Sequence, residues 1–271
     1  MLSLITNGSL TAKNWVSVAG ALSVNNSLSV GSGLKVGGLL NVGQSATANA
    51  LSVATNATIA TDTTVGGQMS IGGNAIVSGS FAAGAGMRVG SYLSVVGDAS
   101  VSGAFAAAQV RVGSLVSNGI VYAAGAITAL GDVQSDALTI SGAISAGGSV
   151  NALGALTSSA ISVSGAAVVG GQMAVTLGLS VGQSLSVGGN LRASNISSGG
   201  AIVAASGISA AGAVVTAGAL AGGSMTNAGA MSVGGDVSVG GRAYIGQSAV
   251  ISGATTIGST LSVLESRVHS P

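Results

Sequence analysis

The stretch LGLSVGQSLSVGGNLRA, residues 177–193, has a leucine at every sixth position, at Leu179, Leu185 and Leu191. After the first two leucines come a serine and a valine, so apolar and polar residues alternate over three positions before a glycine. Alternation with period two is typical of a strand that buries one face, and glycine is common where a chain bends. The six-residue unit therefore predicts a very short strand followed by a bend.

The same unit can be followed along almost the whole chain. From Leu22 it reads LSVNNS, LSVGSG, LKVGGL and LNVGQS, and after the five-residue unit ATANA it resumes as LSVATN. Further five-residue units fit at FAAAQ, VSNGI, VQSDA, LTSSA, LRASN and LAGGS. Because no change of composition interrupts the repeat, we predict one continuous repeat domain over residues 1–264 and a short C-terminal tail over residues 265–271.

The rare residues indicate which positions of the unit face the core. Charged side chains occur at position two or six and never at position one or three: Lys35, Arg88, Arg111, Arg192, Asp62, Asp98, Asp132, Asp236 and Arg242. Lys13 and Asp136 lie in five-residue units, and Glu265 and Arg267 lie in the tail. Burial of an unpaired charge is costly, so charges mark outward positions. Both phenylalanines, Phe81 and Phe105, occupy position one, which we interpret as the core position.

A strand of three residues cannot cover its own apolar face, so the units must stack on one another. We predict an all-β fold, a parallel β-solenoid (β-helix) with about three six-residue units per coil. A rod of about 15 coils at ~4.8 Å per coil would be on the order of 70 Å long. The alternative is a trimeric, intertwined β-fibre in which three chains share each turn, because periodicity alone fits both arrangements.

The composition argues against most functional classes. The net charge is +1, which gives no electrostatic footprint for nucleic acid, and the chain has no cysteine. The N-terminal residues lack the basic region of a Sec-type signal peptide, and the Gly-rich segment 201–220 keeps the six-residue spacing, which argues against a membrane span. The single histidine, His269, lies in the tail, and Asp132 and Asp136 form the one near pair of carboxylates, a weak candidate for a cation. We predict no catalytic residue, cofactor or metal site, and therefore no enzyme.

The repeats LSVGGNL, MSIGGNAIVSGS and MSVGGDVSVGGRAYIG resemble the Gly-rich repeats of fibre proteins from bacteriophages and large algal viruses. This resemblance implies an elongated structural fibre, on a virion or outside the cell, that ends in a receptor-binding tip. The chain is also similar, to a lesser degree, to bactofilins, whose β-helical cores polymerise end to end. It departs from the hexapeptide helix of acyltransferases, because Leu, Met and Phe stand where that family has small residues.

We therefore predict a structural protein, a rigid rod that assembles with itself head to tail into a filament, fibre or surface layer. The alternative is a viral or cell-surface fibre that binds a receptor or glycan. The apolar alternation reaches both ends of the repeat, so Leu2, Leu4, Leu261 and Val263 are the predicted axial contacts. Tyr92, Tyr122 and Tyr244 stand at outward positions six, two and two, and are candidate lateral contacts between rods.

Overall fold

The structure is a computed structural model that describes residues 3–264. These residues form 41 short strands with no helix, in two compact units, unit 1 (1–136) and unit 2 (137–271). The predicted all-β class is confirmed. The continuity predicted for residues 1–264 stays a prediction, and the tail, with His269, Glu265 and Arg267, lies outside the described residues.

The strands of unit 1 are β1 (Leu4–Thr6), β2 (Leu10–Ala12), β3 (Val16–Val18), β4 (Leu22–Val24), β5 (Leu28–Val36), β6 (Leu40–Val42), β7 (Ala46–Val53), β8 (Ala57–Ile59), β9 (Thr63–Val65), β10 (Met69–Ile71), β11 (Ala75–Val77), β12 (Phe81–Ala83), β13 (Met87–Val89), β14 (Tyr92–Val95), β15 (Ala99–Val101), β16 (Phe105–Ala107), β17 (Gln109–Val112), β18 (Leu115–Ser117), β19 (Ile120–Ala123), β20 (Ile127–Ala129) and β21 (Val133–Ser135).

The strands of unit 2 are β22 (Ala137–Ile140), β23 (Ala143–Ala146), β24 (Val150–Ala152), β25 (Leu156–Ser158), β26 (Ala160–Val163), β27 (Ala167–Val169), β28 (Met173–Val175), β29 (Gly178–Val181), β30 (Leu185–Val187), β31 (Leu191–Ala193), β32 (Asn195–Ser198), β33 (Ile202–Ala210), β34 (Val214–Thr216), β35 (Leu220–Asn227), β36 (Met231–Val233), β37 (Val237–Val239), β38 (Ala243–Ile245), β39 (Ala249–Ile251), β40 (Thr255–Ile257) and β41 (Leu261–Val263).

Each unit is a parallel β-solenoid with three faces. Along the chain the strands occupy faces A, B and C in a repeating cycle that begins with β1 on face A, and β5, β7, β33 and β35 each pass from face B to face C without a break. On face A, Leu22 pairs with Leu40, 18 residues later, and Leu40 pairs with Ala57, 17 residues later. One chain therefore supplies all three strands of a coil, as the solenoid prediction requires, and a five-residue unit shortens a coil by one residue.

Positions one and three point into the core, and position two points outward. In strand after strand the first and third residues are buried while the second is exposed, for example in β8, β10 and β30. On face B the large ring of Phe81 stacks between two smaller side chains, Thr63 and Ala99. The space beside a threonine or an alanine accepts part of the aromatic ring, so the interior is filled at this place.

The corners between faces are held by backbone hydrogen bonds to neighbouring coils. At position four an N–H donates to position three of the coil before, as from Gly43 N to Val24 O at 2.8 Å. At position one an N–H donates to position six of the coil after, as from Leu22 N to Leu39 O at 2.8 Å. Consecutive coils are thus joined at every corner as well as along every strand, with a fixed direction of donors and acceptors.

Corner glycines are needed for close packing between coils. These glycines do not supply unusual backbone angles, because no described residue has a positive φ. A Cβ on Gly79 would instead lie 2.7 Å and 2.8 Å from the carbonyl carbon and oxygen of Thr61 in the coil below. Backbone meets backbone there, and a side chain would push the two coils apart.

Two five-residue units differ from the prediction. Lys13 lies in a six-residue unit, because Leu10 and Val16 begin consecutive strands six residues apart. The register places Val110 on Ile127 and Leu115 on Val133, so the short unit is VRVGS, residues 110–114, and VSNGI is not a unit. Leu115 is consequently buried, while Val116 points outward. Ser117 takes the inward position three, where its hydroxyl donates to Gly103 O at 3.0 Å, and this hydrogen bond makes an inward serine tolerable.

Candidate functional site

The first and last described coils have the same three-faced form as the interior coils but a different environment. Their inward side chains are covered from one side only, so Leu4 is 40% exposed and Leu261 is 50% exposed, whereas Val263 is half-buried. Leu2, the fourth predicted axial contact, lies outside the described residues. The structure therefore puts Leu4 at one end of unit 1, and Leu261 and Val263 at one end of unit 2.

The end of unit 2 opens as an apolar recess of about 390 Å³. Its walls are inward side chains of the last three coils, including Met225, Met231, Val237, Ile245 and Leu261. In an interior coil the corresponding space is filled by the side chains of the next coil. The recess is thus the cross-section of the core, exposed at the point where the described coils stop.

The three tyrosines predicted as lateral contacts do not share one surface. Tyr122 of unit 1 and Tyr244 of unit 2 both stand at position two of a face-C strand and are exposed. Tyr92 instead lies at the corner between faces C and A and is half-buried, and its backbone N–H donates to Asn74 Oδ1 at 3.2 Å. Tyr122 and Tyr244 remain candidates for contact with another molecule, each on its own unit.

Most of the charged side chains that the sequence places at positions two and six separate by face; the exceptions are Arg111 on face A and Arg242 at the corner between faces B and C. The cations Lys35, Arg88 and Arg192 stand at position two of face C. The carboxylates Asp62, Asp98, Asp132 and Asp236 stand at position six of the corner between faces A and B, where each precedes a face-B strand. The sequence analysis did not find this separation of charges. It becomes visible when the sequence is written with one coil of 17 or 18 residues per line, rather than one unit of six.

Surface grooves run along face C in both units. In unit 1 a groove of about 470 Å³ lies beside the position-two column, with Trp15 and Arg88 among its lining residues. In unit 2, grooves of about 520 Å³ and 480 Å³ are both lined by Arg192 and Ser209. The lining of the groove of about 520 Å³ is mostly Ala, Ser and Thr, whereas the other two grooves combine such small residues with larger side chains.

The described residues, 3–264, were compared with two further kinds of site, a metal site and a membrane span. No group of three His, Cys, Asp or Glu side chains is arranged to hold a metal ion there. Asp132 and Asp136 lie at the two ends of β21, hence at different corners of the coil, and do not form a joint cation site. In the same range no helix has the length and hydrophobicity that a membrane crossing requires.

Comparison with known proteins adds no relative. The chain matches no protein-family model, no curated protein sequence and no solved structure. The likeness to viral fibre proteins and bactofilins therefore rests on the quoted repeats, and the fold itself, a parallel β-solenoid, is what the structure establishes.

Proposed function

We propose that this protein is a structural subunit that polymerises head to tail by stacking the last described coil of one copy on the first described coil of the next. The observation that carries the proposal is the form of these two coils. Each is a complete turn of faces A, B and C, and each leaves its inward side chains partly exposed. A joint made from them would continue the stacking that already holds each unit together.

The side chains of the two coils are complementary in size if like faces meet. On face A, Leu4 would stack on Ala249; on face B, Leu10 on Thr255; and on face C, Val16 on Leu261. Two of these three pairs put a larger side chain on a smaller one, as Phe81 does with Thr63 and Ala99 inside unit 1. The joint would thus bury the apolar recess of unit 2 without a gap.

The direction of the corner hydrogen bonds also fits such a joint. Inside a unit, the N–H of position one donates to the coil after, and the N–H of position four donates to the coil before, as from Asn25 N to Thr6 O at 3.0 Å. In the joint, the backbone amides of Ala249, Thr255 and Leu261 in one copy would donate to the first described coil of the next copy. The backbone amides of Asn7 and Lys13 in that next copy would donate to the last described coil of the first. The contact joins two different surfaces, so it repeats without closing and produces a filament.

The outward surface is consistent with a structural role. Position two is mainly Ser, Thr, Ala and Val, and charged residues are only 5% of the chain, so repulsion between neighbouring filaments would be small. Together with the resemblance to viral fibre proteins, this surface leads us to propose a fibre or surface layer on a virion or outside a cell.

The test compares two arginine substitutions on β41. Leu261→Arg places a charge in the proposed joint, whereas Ser262→Arg places the same charge on the outward face of the same strand. We expect filaments by negative-stain electron microscopy for the unsubstituted protein and for Ser262→Arg, and single particles for Leu261→Arg. The proposal is wrong if the unsubstituted protein stays monomeric by light scattering at high concentration, or if both variants form filaments equally.

A further inference from the structure

Unit 1 carries opposite charges on opposite sides of its cross-section. At position six of corner AB the eight coils place, in one column, only serine and aspartate: Ser9, Ser27, Ser45, Asp62, Ser80, Asp98, Ser114 and Asp132. We call this column the AB edge. Face C, which lies opposite this corner in a three-sided coil, carries Lys35 and Arg88 in its position-two column.

The negative charge of Asp62 is not needed for the hydrogen bond that this side chain makes at the AB edge. Asp62 Oδ1 accepts a hydrogen bond from Ser80 N at 2.8 Å, which satisfies a corner amide of the next coil. At the corner between faces C and A, Asn56 Oδ1 makes the same bond to Asn74 N at 2.7 Å with a neutral side chain. Because asparagine performs the structural task, the charge of the aspartates points to a second role.

The same two charge positions are each occupied once in unit 2, which also carries Arg242 at corner BC. Asp236 stands at corner AB and accepts a hydrogen bond from Ala254 N at 2.8 Å, and Arg192 stands on face C between two grooves. Charged residues are rare in this chain, so carboxylates at corner AB and cations on face C in both units indicate that these two positions have different roles. The exceptions in unit 1 are Lys13 and Asp136 at corner BC and Arg111 on face A.

The groove of unit 1 has the shape that a corner of another coil would fill. It runs between the position-six residues of corner BC and the position-two column of face C, and its floor and walls include Ala50, Gly86, Ala104 and Ser70. These side chains are small, so the backbone of the groove is accessible over several coils. Trp15, 67% exposed, lines the same groove, and Arg88 projects from it.

We propose that the AB edge of one copy of this protein binds in the face-C groove of a second copy, with Asp62 and Asp98 near Lys35 and Arg88. Both surfaces repeat with the coil spacing of about 4.8 Å, so the ridge and the groove match along their length, and the charges select the axial offset. Asp62 and Asp98 are two coils apart and Lys35 and Arg88 three coils apart, a difference of about 5 Å that long basic side chains span.

This lateral contact joins an edge to a face, so each molecule keeps a free edge and a free groove. Such a contact extends into sheets or bundles of parallel solenoids rather than closing at a dimer. It does not rest on the head-to-tail joint, because its residues lie on the sides of unit 1. The two contacts can therefore be tested separately.

The experiment uses the full chain carrying Leu261→Arg, so that the proposed axial joint is blocked. Edge variants Asp62→Asn and Asp98→Asn are combined in one protein, and groove variants Lys35→Gln and Arg88→Gln in another. Asparagine at position 62 can keep the hydrogen bond from Ser80 N, and Lys35 and Arg88 are exposed, so both proteins are expected to fold; circular dichroism of each variant checks this. Sedimentation velocity at low and high salt measures association, and the emission of Trp15, the single tryptophan, reports whether the groove becomes covered.

We expect concentration-dependent lateral association of the parent protein that high salt reverses, with a blue shift of the Trp15 emission. Each combined variant alone should have a dissociation constant raised at least tenfold. An equimolar mixture of the two should form pairs and no larger species, because one intact edge meets one intact groove. Matched controls Arg111→Gln and Asp136→Asn remove the same charges elsewhere in unit 1 and should associate as the parent does.

Three results would overturn the proposal. The parent protein could remain monomeric at low salt, the controls could weaken association as much as the edge and groove variants, or the mixture could fail to form pairs. Failure of the head-to-tail joint has a different signature, because filaments would then be absent from the protein without Leu261→Arg while the lateral pairs persisted.

Discussion

The tripeptide Leu-Ser-Val occurs in an interior strand, Leu185–Val187, and in the last described strand, Leu261–Val263. In the interior strand Leu185 is 0% exposed, whereas Leu261 is 50% exposed. The sequence and the inward and outward directions are the same, but Leu185 lies between two coils on face B, whereas Leu261 lies in the last described coil, on face C. Burial in this fold is thus a property of the stack, while the six-residue unit determines only which side chains face inward.

The largest expected effect separates these two leucines. Leu185→Asp removes a buried side chain and leaves a carboxylate among apolar neighbours, and we expect it to lower the free energy of unfolding by about 5 kcal/mol. Leu261→Asp leaves the carboxylate in contact with water and should cost less than about 1 kcal/mol. Thermal unfolding followed by circular dichroism of dilute protein measures both.

The outward serines of the same strands are the controls for this pair. Ser186→Asp and Ser262→Asp should each change the free energy of unfolding by about 0.5 kcal/mol or less, because both side chains lie in solvent. Equal losses for Leu185→Asp and Ser186→Asp would contradict the inward and outward assignment. If the head-to-tail joint forms, the penalty for Leu261→Asp should grow with protein concentration.

A smaller effect is expected at the corner glycines. Gly79 and Gly8 occupy the same position, the fifth of corner AB, but Gly79 lies against the backbone of Thr61, whereas a Cβ on Gly8 would meet nothing within 4 Å. We expect Gly79→Ala to cost about 1–3 kcal/mol through overpacking, and Gly8→Ala to be neutral or slightly stabilising. Chemical denaturation measures the free energy of unfolding of both variants. If Gly79→Ala leaves it unchanged, the coils can move apart at little cost.

These comparisons show which features of the fold could be predicted from the sequence and which could not. The period of six and the rare charged residues were sufficient to predict the strands, the three-sided coil and the inward leucines. They could not predict the inward hydroxyls, because the six-residue pattern does not mark a serine such as Ser198 as inward; its hydroxyl donates to Gln183 O at 2.6 Å.

The six-residue repeat also does not show on which face of the coil a charged residue lies. Each five-residue unit still occupies one side of a coil but shortens that coil by one residue, so residues on one face are spaced by 17 or 18 positions rather than by a fixed number. The candidate surfaces depended on this spacing: the cations of face C and the carboxylates of corner AB appear as one pattern only once the register between coils is known.

The smallest effect tests a buried hydroxyl against an exposed one. Thr63 and Thr255 both occupy position one of face B, but Thr63 is buried and its Oγ1 has no hydrogen-bond partner, whereas Thr255 is exposed in the last described coil. Valine has nearly the same shape and no polar group to desolvate, so Thr63→Val should stabilise the protein by about 1 kcal/mol. Thr255→Val should change the free energy of unfolding by less than about 0.5 kcal/mol, since water already solvates its hydroxyl. Urea unfolding of the two variants measures the difference in the free energy of unfolding. If Thr63→Val is destabilised, the Thr63 hydroxyl has an acceptor in the core. Interior coils would then satisfy this polar group as fully as solvent does for Thr255 in the last described coil.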